Sequence, residues 1–418
     1  MAETAAFDPR ATAAPGPTAD APLAPGARAA AASGSRATAA PYSAPAPSGG
    51  EILHLTGPIL VGPETEIREA WVIDGTIRHE RPSSADLLGP DGRAREIVDV
   101  DGFVVPGLAD LHCHIGISDE GTGTSLDEAI AQARTDAATG VTLIRDAGSI
   151  IDNSPLQSMP GLPRIIRAGR HIARSRRYLI GYADEVDPQD LPAAVAREAM
   201  RGDGWVKVVA DWIDRSVGDL TPTFDADDFA AAARAAHEND ARLTAHTFCE
   251  EAVPMLLDAG FDCLEHATGL TDDTIARAAA QGVPVVTTLV NVDQFTEYAN
   301  QGERKFPAYA AHMRALRERR FDRTRDAFDA GITLLTGTDA GGVLGHGIIH
   351  DELAELRRCG ISDADVLAAA TWAPRAFLGV PGLEDGAPAD LVVAGVDPRR
   401  DVAALREPTL VLIGGRRV

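Results

Sequence analysis

Eight short apolar runs, each trailed by a stretch of helical spacing, occupy residues 103–382, and this alternation restricts the fold more than any other feature of the chain. The runs are FVVPGLADLHCH, VTLIRDAG, PRIIRAG, WVKVVAD, ARLTAHT, FDCLEHA, VPVVTTL and ITLLTGTDA. Segments such as SLDEAIAQARTDAATG and DADDFAAAARAAHEND stand between them, and SDADVLAAATWAPRAFLG follows the last. Strands that alternate with helices feed a parallel sheet, because parallel neighbours need a crossover connection. Eight such units predict an α/β protein with a (β/α)8 TIM-type barrel over 104–382, its chemistry at the carboxyl ends of the strands.

On either side the texture changes. EILHLTGPILVG, EAWVIDGTIRHER and EIVDVDGFVVPG come before the repeats, and ADLVVAGVD and TLVLIGGRRV come after them, all reading as short strands. Segments 51–103 and 383–418 are expected to combine into a small β-sandwich domain built from both chain ends. Residues 1–49 are mostly Ala, Pro, Gly, Ser and Thr, a composition with too little to bury to offset its ordering entropy. A disordered Ala/Pro-rich tail is expected there.

With 62 acidic and 39 basic residues, the net charge of −23 works against nucleic acid and anionic membranes as partners. No apolar run reaches membrane length, and the N-terminus lacks the charged head and apolar core of a signal peptide. The four cysteines form no CxxC pair, so the expected setting is the reducing cytoplasm and the expected partner a small molecule. A homo-oligomer is compatible with the sequence and not specified by it.

The chemistry begins at His112 and His114. Residues i and i+2 of an extended chain share a face, so both imidazoles can reach one ion while Cys113 points away. His246 ends the fifth run, His266 ends the sixth, and Asp339 follows the eighth, so the barrel brings all five to one mouth. Lys207 lies in the fourth run between Val206 and Val208, where a bare ammonium is costly to bury. Two readings remain for it: a lysine paired with an acid, or an amine that has added carbon dioxide to become an anionic carbamate.

This constellation resembles the amidohydrolase superfamily of metal-dependent hydrolases over residues 51–418. Its His-x-His, Lys, His, His, Asp pattern on strands one, four, five, six and eight fits His112, His114, Lys207, His246, His266 and Asp339. The VVPGLADLHCH, TGTDAGG and GAPADLVVAGVDP contexts look most like the imidazolonepropionase-like and dipeptidase-like branch. The resemblance implies two divalent ions, zinc by preference. His112, His114 and Asp339 would surround one, His246 and His266 the other, with a carbamate on Lys207 and a hydroxide bridging them. Asp339 would be the catalytic proton carrier. The implied reaction is hydrolysis of an amide, lactam or N-acyl carbon–nitrogen bond of a small molecule.

Two other activities and one inert role compete. A mononuclear deaminase of a heterocycle needs no bridging lysine, an Xaa-amino-acid dipeptidase needs a peptide-binding rim, and a dead scaffold would lack ligands. Candidate substrate contacts are Arg145, His171, Tyr178 and His346. Arg145 is weighed equally as a structural ion pair with Asp146 beside it. Relatives of the dipeptidase type show a glycine-rich turn ending in His where this chain has Arg176, Arg177 and Tyr178, and those arginines suit a carboxylate-bearing substrate.

Overall fold

The computed structural model describes residues 50–418; the tail of residues 1–49 lies outside the described residues. The chain opens with β1 (Glu51–Leu60), β2 (Glu66–Ile73), β3 (Thr76–Arg78), β4 (Glu96–Asp101) and β5 (Phe103–Pro106). A second series follows: β6 (Leu108–Cys113), β7 (Val141–Asp146), β8 (Arg164–Arg167), β9 (Ile172–Arg174), β10 (Asp184–Val186) and β11 (Trp205–Val209). After the hairpin β12 (Asp211–Asp214) and β13 (Asp219–Pro222) come β14 (Arg242–Thr247), β15 (Cys263–His266), β16 (Val285–Thr287) and β17 (Leu334–Thr336). The chain finishes with β18 (Leu391–Ala394), β19 (Leu410–Ile413) and β20 (Arg416–Arg417).

The architecture is a TIM-barrel-type α/β fold. Parallel ladders run β6–β7–β8 and β9–β11–β14–β15–β16–β17, with β10 on the far side of β9. The pieces β8 and β9 are consecutive in the chain, so one interrupted strand serves both ladders. Beyond β17, the amides of Thr338 and Asp339 donate to His112 O (3.0 and 2.6 Å) and that of His114 donates to Ala340 O (2.7 Å), setting the last strand beside the first. All six residues of β6 and of β7 are buried, as expected of strands covered on both faces. Each fully buried Val, Leu or Ile contributes about 1.5–3 kcal/mol.

Strands from both chain ends share a separate ladder, β20–β19–β18–β5–β1–β2–β3, that forks where β4 also pairs with β1. Leu53, Leu55, Val72, Val104, Leu391 and Leu412 form its core. The run read as one first strand is therefore two. Its Val104–Pro106 portion pairs antiparallel with β18, while Leu108 onward joins the barrel ladder. Gly107 is the break, and a Cβ there would meet Thr142 Cγ2 at 2.2 Å.

Local signals explain the helix starts. Ser125 and Glu128 make a reciprocal capping box for Leu126–Ala138, and Asp225 and Asp228 do the same for Ala226–Glu238. The SDADVLAAATWAPRAFLG segment makes two helices, Asp363–Ala370 and Trp372–Leu378, because Thr371 leaves helical geometry at φ −129°, ψ −72°. Among the described residues, no helix is long and apolar enough to cross a membrane.

Candidate metal centre

The barrel strands and the loop after β17 bring the six residues singled out by spacing into one cluster, buried but for Asp339. Nε2 of His112 and Nε2 of His114 lie 3.0 and 3.1 Å from the same atom, Oδ1 of Asp339. His114 Nδ1 is 2.7 Å from Gly148 O, a carbonyl that only accepts, so Nδ1 carries the proton. In neutral His114 the Nε2 lone pair then points at a carboxylate oxygen. Such a contact is repulsive unless a proton or a cation sits between them, so the donor set fits a divalent ion. These three residues also offer ligand atoms within 4.8 Å of one another.

The other imidazoles face each other, with His266 Nε2 2.9 Å from His246 Nδ1. His266 Nδ1 is anchored on Thr288 Oγ1 at 2.7 Å, whereas His246 Nε2 is buried and has no partner among the described residues. Burial holds His246 and His266 well below the usual imidazole range, leaving neutral, ligand-competent rings. Burial pushes Asp339 upward, but His112 and His114 outweigh it and hold the carboxyl well below its ordinary value. Two of these residues, His266 and Asp339, adopt left-handed backbone at φ 61° and 58°, a strain that non-glycine residues carry where the surroundings impose it.

Lys207 Nζ lies 3.3 Å from His112 Nε2 and ion-pairs with Glu265, a residue the sequence reading did not single out. Glu265 is fully buried; it also accepts from Arg145 (2.5 Å) and Thr244 Oγ1 (2.8 Å), and its Oε2 lies 3.2 Å from His112 Nδ1. Strand alternation would send Glu265 and His266 to opposite faces, so spacing alone gave no sign that both reach this cluster; His266, at φ 61°, leaves regular strand geometry.

Three more carboxylates act as braces. Asp110 accepts from His112 N (3.1 Å), Thr338 N (3.1 Å) and Thr338 Oγ1 (2.6 Å), fixing the first strand against the loop that carries Asp339. Asp146 accepts from Ile115 N and Gly148 N, and Asp211 from Phe248 N. Burial raises Asp110 and Asp211 to about 7. A further link reaches Asp339: Asn291 Nδ2 donates to its Oδ2 at 2.7 Å, and Tyr298 OH donates to Asn291 Oδ1 at 3.1 Å.

The candidate substrate contacts divide. His171 is buried, 5.5 Å from His114 between ring centroids, and neither ring nitrogen has a partner among the described residues. Tyr178 is half-buried, 5.4 Å from His171 and 6.0 Å from His246. Arg145 is fully buried, donates to Leu111 O and Glu265, and stacks on Trp205, which fits the ion-pair role, its partner being Glu265 rather than Asp146. His346 Nδ1 is bonded to Asp136 at 2.8 Å, which ties its loop to the helix Leu126–Ala138. Arg177 is committed to Asp214, Trp212 O and Thr221, so it holds the β12–β13 hairpin.

Fold and site together define a TIM-barrel-type α/β protein with a candidate divalent-metal centre. The chain belongs to the amidohydrolase family, whose model matches residues 103–418, and is thus a hydrolase acting on carbon–nitrogen bonds. Uncharacterized proteins of Mycobacterium tuberculosis and Mycobacterium bovis are 47% identical to it over 365 residues, 87% of this chain and 95% of theirs. An Xaa-Pro dipeptidase solved with bound methionine superposes with a TM-score of 0.72 at 21% identity, covering 88% of this chain and 99% of that one. A putative prolidase from Bifidobacterium longum gives 0.72 at 24% (90% and 95%), and an A. niger ochratoxinase 0.68 at 19% (88% and 95%). At such identities the likeness is one of fold.

Proposed function

We propose that the chain hydrolyses an amide, lactam or N-acyl bond of a small molecule with two divalent ions, zinc by donor set. One observation carries this reading: two imidazole Nε2 atoms converge on one Asp339 oxygen at 3.0 and 3.1 Å. His112, His114 and Asp339 would hold one ion, His246 and His266 the other, and a carboxylated Lys207 would stand between them. When bound, the ions acidify water and polarise the scissile carbonyl. Asp339 takes the proton of the attacking water and passes it to the leaving nitrogen, and Asn291 keeps Oδ2 aimed during that transfer. His171, neutral and unpartnered, is placed to donate to a polar group of the substrate.

Charge balance supports the carbamate. Lys207, Arg145, Glu265 and Asp339 sum to zero as they stand, two cations against two anions. Two dications would leave the buried cluster far too positive, and exchanging an ammonium for a carbamate removes two charges. The Lys207–Glu265 pair then belongs to the metal-free protein. We also read the parallel ladders as a closed barrel, the forked sheet as a small β-sandwich domain beside it, and the four unpaired cysteines as suited to the cytoplasm.

A second reading has its own support, since only His112, His114 and Asp339 gather as a three-ligand group among the described residues. That favours a single ion and a deaminase-like chemistry. Elemental analysis of the purified protein, alongside hydrolysis of N-acyl amino acids, dipeptides, lactams and cyclic ureas, separates the two. Two ions per chain with amide turnover is the expected result; one ion with ammonia release from heterocycles would replace the first reading by the second.

A further inference from the structure

Three aromatic rings crowd the His246 side of the centre. Phe248 directly follows β14, Trp212 lies just beyond β11, and Tyr178 lies on the loop after β9, so each leaves the carboxyl end of a barrel strand. Their ring centroids stand 4.1, 5.5 and 6.0 Å from that of His246, and Tyr178 meets Trp212 edge-on at 4.7 Å. Phe248 is buried, whereas Trp212 and Tyr178 are only half-buried and keep ring surface uncovered. Three apolar side chains on neighbouring βα loops are exposed as well: Ile180, Val217 and Val343, at 87%, 64% and 64%.

Five of the nearby guanidinium groups are already committed, whereas Arg176 is exposed and bonds Glu185 through its backbone amide. Arg177 is spent on the hairpin, Arg174 donates to Thr223 O, Arg170 to Gly181 O and Tyr182 O, Arg145 to Glu265, and Arg319 pairs with Glu250. Capturing a substrate carboxylate by any of them would break bonds the loops depend on. The net charge of −23 opposes an anionic substrate further.

We infer that Trp212 and Tyr178, backed by Phe248, form an aryl-binding wall, and that the substrate is an uncharged amide, carbamate or urea with an aromatic group beside the scissile bond. This rests on the hydrolase reading above. In the amide case water's oxygen bonds to the carbonyl carbon, the C–N bond breaks, and the nitrogen leaves with the proton as a neutral amine beside a carboxylic acid. Specificity comes from stacking on the ring rather than from clamping a carboxylate.

The test uses the zinc-loaded full chain and probe pairs that differ by one carboxylate: N-methylbenzamide against hippurate, and acetanilide against 4-acetamidobenzoate. Binding is read by quenching of tryptophan fluorescence and by calorimetry, and hydrolysis by product release. The neutral member of each pair should bind about tenfold tighter or more, and Trp212→Leu or, independently, Tyr178→Leu should weaken it about tenfold. Equal or tighter binding of the carboxylates, or no binding of either neutral probe, overturns the inference while leaving the hydrolase reading to its own test. Neutral probes that bind through Trp212 without any substrate class being hydrolysed would retain the wall and discard the hydrolase reading.

Discussion

The two halves of the imidazole cluster differ in what their nitrogens face. On one side, His112 and His114 aim Nε2 at a shared carboxylate oxygen, and Asp110, Gly148 and Asn291 brace the strand, the ring and the carboxylate. On the other, His246 and His266 turn towards each other, and Lys207, whose Nζ lies 3.3 Å from His112 Nε2, is held by Glu265. The first half is preorganised for a cation by the polypeptide alone. On the proposed carbamate, the second half would acquire its anion only when Lys207 changes sign, and its occupancy would depend on chemistry added after folding.

The largest expected effect comes from breaking the preorganised half. Asp339→Asn removes the charge both imidazoles face and, on the proposed mechanism, the proton carrier, so turnover should fall by about 10^2 to 10^4-fold, with metal lost from this half. Elemental analysis and kcat decide it; full metal content with normal turnover would show that Asp339 serves only as a turn residue. Next comes the dependent half. Lys207→Ala should keep one ion and lose the other, and short carboxylic acids should restore part of both metal and activity. Lys207→Arg should be as inactive, since a guanidinium cannot be carboxylated. Glu265→Gln is the control: in the metal-free protein, leaving Arg145 and Lys207 without their anion should cost about 3–5 kcal/mol of stability by thermal or urea unfolding. If Lys207→Ala retains two ions, the lysine is structural and the halves are equivalent.

A smaller effect sharpens the contrast within the first half. Asn291→Ala leaves Asp339 Oδ2 without its amide donor while all the ligands stay in place. Removing a partner of this kind typically costs 10- to 100-fold in metal affinity, and we expect about tenfold here. Competition with a fluorescent chelator measures it, and unchanged affinity would mean that the backbone strain at Asp339 already fixes the carboxylate.

Much of this was legible from spacing. The eight apolar runs each contribute a strand or the segment leading into one, and His112, His114, His246, His266, Lys207 and Asp339 stand together because strand ends in such a fold share one mouth. What stayed hidden were partners defined only in three dimensions. Glu265 lies 120 residues from Arg145 and 58 from Lys207, so no window of sequence links them. Gly107 looked like part of a strand because its role, clearing Thr142, depends on a neighbouring strand. Arg177 suggested anion binding, yet the hairpin that consumes it begins 34 residues later, at Asp211.

The smallest expected effect lies outside the centre, in a bridge that steadies the wall next to the dependent half. His312, on the helix Pro307–Glu318, sits between Asp219 of β13 at 3.0 Å and Glu250 at 2.9 Å, and Glu250 follows Phe248 by two residues. Its bond to Glu250 raises His312 to about 9; burial pushes Glu250 up, but His312 and Arg319 overcome it and bring it to about 2. A histidine raised by folding adds stability in full below its unfolded value near 6.5 and loses it as pH climbs through about 9. A carboxylate lowered by folding adds stability above about 4.5 and loses it as pH falls through about 2. The bridge therefore contributes its full stability between about pH 4.5 and 6.5, and the two shifts describe one interaction, so they do not add. With side chains 22% and 32% exposed, solvent screening reduces its worth to about 1 kcal/mol. Thermal unfolding should show the midpoint dropping by about 2 °C between pH 6 and 9.5, and His312→Gln should flatten that drop. An equal drop in the variant would place the alkaline loss elsewhere and leave the wall anchored by Arg177 and Arg319 alone.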